Sequence, residues 1–237
     1  VRPLVQKADW SAALTAGDDH DEILATINPL IQLGSTVVTD NPEDLHSSEA
    51  TTYGRQGLSP CPHLARAMAT IEKGADAQLY SSGLSAICNS ILALTQPGDH
   101  ILLVDCVYGR TREFCDEYLS RLGISVTYFD PAIGVTELFD LARENTKMIF
   151  LESPGSITFE IQDVSDVSKR AQSRNILTLV DNTWSAGILS KPIPQGADVS
   201  IQSLTKYVSG DSDTFMGCAV SRSPAIHERL HLHANLP

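Results

Sequence analysis

Basic residues are scarce in this 237-residue chain: Lys and Arg number 17 against 29 Asp and Glu, a formal net charge of −12 at pH 7. Such a surface repels phosphate backbones and anionic lipid, which argues against general nucleic-acid or membrane-surface binding. Long apolar runs are also missing, since stretches such as Ala86 to Leu94 and Ile176 to Val180 are far too short to span a bilayer. The opening residues VRPLVQKADW lack the apolar core of a secretory signal, so a cytoplasmic location is expected. None of the five cysteines forms a CxxC pair, which excludes a zinc knuckle or disulfide framework and leaves reduced thiols. Cys88 and Cys218 sit in apolar runs and read as small core residues. No GxxxxGK[ST] phosphate loop occurs, and there is no internal repeat or low-complexity segment. With 42% hydrophobic and 19% charged residues, the composition is that of an ordinary globular chain.

What is present is an alternation. Residues 1–60 carry little periodicity beyond an acidic loop or helix start at 17–22 and a short strand expected at Thr36-Val37-Val38. They read as an arm. From there Leu64, Ala67, Met68 and Ile71 recur at helical spacing, with Pro62 expected at the first helical position and Gly74 at the stop. Short apolar strands then lead into helices: 77–81 into 83–94, 101–105 into 110–122, 125–129 into 135–144, and 148–152 into 164–173. Segments 176–181, 198–203 and 215–220 complete the series. Continuous apolar strands separated by amphipathic helices predict an α/β fold, a mostly parallel sheet covered on both faces. Ligands in such sheets bind at the carboxyl ends of the strands.

The residues at those ends are chemically uneven. Ser82 and Gly83 open a helix, which is either simply capped or presents free amides to an anion. Tyr108 follows the second strand, as a half-buried core residue or a stacking platform. Asp181 follows five apolar residues, so it is either the head of an Asx-turn or a desolvated carboxylate awaiting a cation. Lys206 lies just past another apolar strand, after Ser203 and Thr205, an unusual setting for a solvated lysine. A lysine, an acid, an aromatic ring and an anion cradle in one pocket match the needs of pyridoxal phosphate: a Schiff-base amine, a partner for the pyridine nitrogen and a phosphate site. His227, His231 and His233 lack the supporting ligands of a metal centre and read as solvated histidines near a helix end.

With Tyr53-Gly54-Arg55, Ser82 to Ala86, Tyr128 to Pro131, ESPGSIT at 152–158, Asp181 to Trp184, Asp198 to Gln202 and Thr205-Lys206-Tyr207, the chain resembles the Cys/Met-metabolism family of pyridoxal-phosphate enzymes from about Thr15 onward. The ESPGSIT run leans towards the cystathionine β-lyase branch, whereas Tyr108-Gly109 is shared with the γ-lyase and γ-synthase relatives. The resemblance implies a fold-type I, aspartate-aminotransferase-like large domain over residues 61–237, with residues 1–60 an arm crossing the interface of a homodimer or tetramer. It implies that Lys206 bonds the cofactor, Asp181 pairs with the pyridine nitrogen and Tyr108 stacks on the ring. Gly83, Leu84, Ser203 and Thr205 would hold the phosphate, and Tyr53 and Arg55 would reach the phosphate of the neighbouring subunit. The expected activity is β-elimination of a small amino-acid thioether, cystathionine, to homocysteine, pyruvate and ammonia. Two departures are expected to matter. The family's second domain, with its arginine for the substrate carboxylate, is not matched by Arg222 or Arg229, so a catalytically inactive cofactor- or partner-binding remnant is the alternative. Asp211 also stands where the family has His.

Overall fold

The computed structural model describes residues 29–39, 41–46 and 50–235, so the acidic segment 17–22 and the start of the family resemblance lie outside the described residues. The first long helix, α1 (Pro60–Glu72), begins two residues earlier than the sequence predicts. Both prolines fit its first turn, where a missing N–H leaves no intrahelical bond unmade. Its end is also displaced, because Lys73 takes the left-handed conformation and Gly74 N–H returns to the Ala69 carbonyl at 2.9 Å. The expected strand at 36–38 reduces to one bridge between Thr36 and Tyr53.

Seven strands follow, β1 (Asp76–Tyr80), β2 (His100–Val104), β3 (Ser125–Phe129), β4 (Thr146–Glu152), β5 (Leu177–Asp181), β6 (Val199–Ser203) and β7 (Gly217–Ser221). They form one sheet in the order β1-β7-β6-β5-β4-β2-β3, in which only β7 runs against the others. The helices between them are α2 (Gly83–Leu94), α3 (Gly109–Phe114), α4 (Val135–Asp140), α5 (Val164–Ser173), α6 (Pro192–Gln195) and α7 (Pro224–Ala234). The helix expected over 110–122 is irregular: after Phe114 the turns widen over Cys115–Leu119 and tighten over Ser120–Leu122 before Gly123 closes them. The helix expected to reach residue 144 stops at Asp140, and Thr146 binds the Arg143 N–H with its hydroxyl at 2.7 Å, closing a turn instead.

The core explains the apolar runs. Residues Ile101 to Val104 and Met148 to Leu151 are fully buried, covered on both faces by helices. At the start of β2, buried His100 lies 2.8 Å from the Thr146 hydroxyl and 2.9 Å from that of Thr127, tying three strands together. Because β7 alone is reversed, the carboxyl ends of six strands and the first residue of β7 share one rim. The chain changes direction across the sheet between β2 and β4, which is where open α/β sheets leave a crevice. Among the described residues no helix is long and apolar enough to cross a membrane.

Candidate functional site

Five loops meet at that rim. After β1, Ser82 caps α2 with its side chain accepting from the Ser85 N–H at 3.0 Å, which leaves the Gly83 and Leu84 amides without intrahelical acceptors. The expected cradle therefore faces the rim of β6. A Cβ built on Gly83 would sit 2.5 Å from Ser203 Cβ and 2.9 Å from its Cα, and one on Gly217 would sit 2.1 Å from the Ser82 carbonyl oxygen. The backbones of β1, β6 and β7 thus close on each other only because two glycines carry no side chain. Ser203 N–H donates to the Thr183 hydroxyl at 2.9 Å, tying β6 to the loop after β5. Thr205 exchanges hydrogen bonds with the backbone of Met216 at 3.1 and 3.2 Å, so its hydroxyl is anchored to the segment leading into β7. Gly83→Ala is expected to push Ser203 aside, lowering phosphate affinity about tenfold and the unfolding free energy by roughly 1–3 kcal/mol, as overpacking does. Titration with a phosphorylated pyridine and urea unfolding check both; unchanged affinity would defeat the cradle.

Asp181 ends β5. Its Oδ1 accepts the Thr183 N–H at 3.0 Å, so the Asx-turn is real, and no cationic partner meets it among the described residues. Both readings of this residue hold together. Burial raises its pKa, opposed by the Thr183 hydrogen bonds. In register beside it on β4 is Glu152, only 4% exposed, whose Oε2 accepts the Tyr108 N–H at 2.7 Å. Parallel strands lie about 4.8 Å apart, so two carboxylates stand side by side on one face. Burial first, then the Asp181 charge, pushes Glu152 up to about 8. The sequence reading placed Glu152 in a motif but gave it no role. Its importance comes from Tyr108 and Asp181, which are remote in the chain.

The sign of the resulting pH dependence is definite. Folded Glu152 keeps its proton up to about pH 8, while the unfolded chain releases it near 4.3. Stability from this group is therefore complete below the unfolded value and is lost as pH rises through about 8. Glu152→Gln is expected to flatten that alkaline loss and to raise stability at pH 8 by roughly 1–3 kcal/mol. Urea unfolding at pH 5, 6.5 and 8 measures it; a variant that still loses stability as the parent does would refute the assignment.

Tyr108 precedes α3 and is 45% exposed, so its ring is a free platform at the rim rather than a core residue. Lys206, expected to avoid solvent, is in fact exposed, because the chain leaves the sheet after Ser203 in a turn and only its backbone is engaged, donating to the Ser203 carbonyl at 3.1 Å. Tyr53 and Arg55 do not join these groups: their contacts stay within the arm, with Arg55 6.0 Å from the Tyr53 ring centre. Arg222 chelates buried Asp198 at the start of β6, and Arg229 donates to the Ala93 carbonyl near the end of α2, so both lie away from the rim. Asp211 is exposed. His227 lies 3.5 Å from Asp76 and stacks on His231. Trp184 packs edge-on against Phe159 at 5.1 Å and is 6.2 Å from Tyr207, an aromatic wall drawn from the loops after β4, β5 and β6. The sequence signalled Trp184 and Tyr207 only as motif residues, and Phe159 not at all.

The described residues fit pyridoxal phosphate: glycine-lined amides for an anion, a carboxylate that meets no cation, an exposed ring and an exposed amine on one rim. Comparison with known proteins agrees. A family model for Cys/Met metabolism PLP-dependent enzymes matches residues 11–236. The chain is 39% identical over 215 residues to the cystathionine β-lyase MetC of Escherichia coli, covering 87% of this chain and 54% of that protein. An L-alanine/L-glutamate racemase of Wolbachia pipientis is 32% identical, with 89% of this chain and 55% of that protein covered. The crystal structure of cystathionine γ-lyase from Lactobacillus plantarum, complexed with L-serine, superposes with a TM-score of 0.88 at 27% identity over 96% of this chain and 58% of that one. The chain spans about half the length of the curated relatives it matches.

Proposed function

The chain belongs to the Cys/Met-metabolism family of PLP-dependent enzymes, and from that premise we propose that it forms the cofactor-binding part of a carbon–sulfur lyase that β-eliminates an amino-acid thioether such as L-cystathionine. The cofactor is pyridoxal phosphate. The observation that carries the reading is the convergence on one rim of exposed Lys206, unpaired Asp181 and the Gly83–Ser203 cradle. When bound, pyridoxal phosphate supplies an electron sink conjugated to the substrate α-carbon.

The residues divide the work by charge. Gly83 and Leu84 amides and the Ser203 hydroxyl would hold the phosphate at the positive end of α2, joined by the Thr205 hydroxyl once it turns from the Met216 carbonyl. Asp181 would keep a proton on the pyridine nitrogen by offering a carboxylate that meets no cation among the described residues. Tyr108, whose N–H donates to Glu152, would stack on the ring. Lys206 would be the amine that holds the cofactor, and its Nζ would take the substrate α-proton. The Cα–H and Cβ–S bonds break, a Cα=Cβ bond forms, and sulfur leaves with the electron pair as a thiolate. Cystathionine would give homocysteine and aminoacrylate, which water converts to pyruvate and ammonia. Tyr53 and Arg55 are assigned to the phosphate of a neighbouring subunit in a dimer or tetramer, consistent with their contacts staying within the arm.

The racemase relative gives a second reading a specific footing, since the same Nζ that removes an α-proton can return it. Incubation with cystathionine separates the outcomes: pyruvate supports β-elimination, whereas 2-oxobutyrate indicates γ-elimination. Inversion of L-alanine without either ketoacid points to racemisation. Binding of the cofactor with none of these products would favour the inactive remnant and defeat the proposal.

A further inference from the structure

Beneath the rim lies a buried carboxylate that the chemistry above does not use. Glu72, the last residue of α1, is 0% exposed. A single oxygen, Oε1, accepts the side-chain amide of Asn182 at 2.9 Å, the Ser200 hydroxyl at 2.9 Å and the side-chain amide of Gln202. Asn182 directly follows Asp181, and Gln202 directly precedes Ser203. One acceptor therefore grips the residues adjoining the two points where opposite ends of the cofactor are held.

The surroundings are built for this grip. Asn182 also donates to the Ser190 carbonyl at 3.1 Å, and its N–H donates to the Ile201 carbonyl at 2.7 Å. Lys191 Nζ donates to the carbonyls of Gly187, at 2.7 Å, and Ile71, closing the turn over Glu72. Gly187 has a φ of 68°, and a Cβ there would meet the Glu72 carboxyl carbon at 3.1 Å and Gln202 Nε2 at 3.2 Å, so nothing larger fits. Of the three residues it grips, Ser200 lies within β6, and the other two, Asn182 and Gln202, adjoin the site directly.

We propose that Glu72 is a positioning residue that sets the spacing between Asp181 and Ser203 to the fixed length of a phosphorylated pyridine. The inference rests on the cofactor site proposed above. A rigid ligand held at both ends is sensitive to that spacing, because misplacement by about 1 Å forfeits contacts at one end or the other. A fragment bound at one end alone is not.

Glu72→Ala and Glu72→Gln are compared with the parent chain by titration with pyridoxal phosphate, by competition with inorganic phosphate, and by urea unfolding. Glu72→Ala is expected to weaken pyridoxal phosphate at least tenfold while changing the phosphate competition constant less than twofold. Glu72→Gln, which keeps Oε1, should stay within about threefold of the parent. In an Asp181→Asn background the Ala substitution should cost less than threefold, because the far anchor is already lost. Should the alanine chain fail to fold, Gln202→Leu, which removes one donor, carries the same expectations. Equal losses for cofactor and phosphate, or additive effects with Asp181→Asn, would show that Glu72 only stabilises the fold and overturn the proposal. Unchanged cofactor affinity in a folded variant would overturn it too. A parent chain that binds no pyridoxal phosphate would instead refute the cofactor site itself, and this inference with it.

Discussion

Lys206→Ala is expected to lower ketoacid release from cystathionine by about 10²–10⁴-fold, the range for removing a positioned acid–base group, and by more because the same amine is the cofactor's point of attachment. Exposure makes the prediction clean. Lys206 Nζ makes no hydrogen bond or ion pair among the described residues, and only its backbone is engaged, so removing the side chain leaves the turn at Ser203 intact. The unfolding midpoint in the absence of cofactor should therefore match that of the parent. Borohydride reduction of the cofactor-saturated parent, followed by peptide mass mapping, should place the pyridoxyl group on Lys206 alone. Label on another lysine, or an alanine variant with undiminished turnover, would reject the role.

Asp181→Asn should move stability and binding in opposite directions. Without cofactor the native residue is a carboxylate taken from water, beside Glu152 and with no cation to meet it among the described residues. Its pKa is raised by burial, so the folded chain resists losing this proton while the unfolded chain releases it near pH 3.9. Stability from this group is complete below that value and falls as pH rises. The amide removes the penalty, so the variant should be more stable than the parent at pH 8, by roughly 1–3 kcal/mol, and nearly equal at low pH. With cofactor the order reverses. Losing a charged partner for the pyridine nitrogen should weaken binding about 10- to 100-fold, matching the roughly 1.5–3 kcal/mol of a hydrogen bond to a charged group. Urea unfolding at two pH values and a cofactor titration give both halves. A variant less stable than the parent at pH 8 would show that Asp181 already has a partner in the fold, and the argument would fall.

The sheet was legible because buried parallel strands need unbroken apolar runs, and Ile101 to Val104 and Met148 to Leu151 are such runs. Asp181, Tyr108, Ser203 and Lys206 were legible because polar residues that end apolar runs stand out by position. Strand direction was not. Nothing in Gly217 to Ser221 distinguishes a reversed strand from a parallel one until its neighbours are known. Glu72 and Glu152 were silent for a related reason. Each is an ordinary acid in the sequence, at the end of a helix or strand, and its meaning comes from Asn182, Gln202, Tyr108 and Asp181, met only across the fold. The exposure of Lys206 was misread because an apolar strand before it says nothing about where the chain turns afterwards.

The reversed strand also sets an order of assembly. Strands β2 to β6 can pair with one another as they leave the ribosome, but among the described residues β1 pairs in the sheet with β7 alone. Until Gly217 to Ser221 has been made, β1 waits without a partner and Gly83 has no fixed Ser203 to rest against. Long-range pairing of this kind is a slow step, and an unpaired strand is exposed meanwhile. The close contact of Gly83 with Ser203 is therefore complete only once β7 has been made. A cleavage within residues 204–216 would spare most of the sheet while detaching the strand that brings the two halves of the site together.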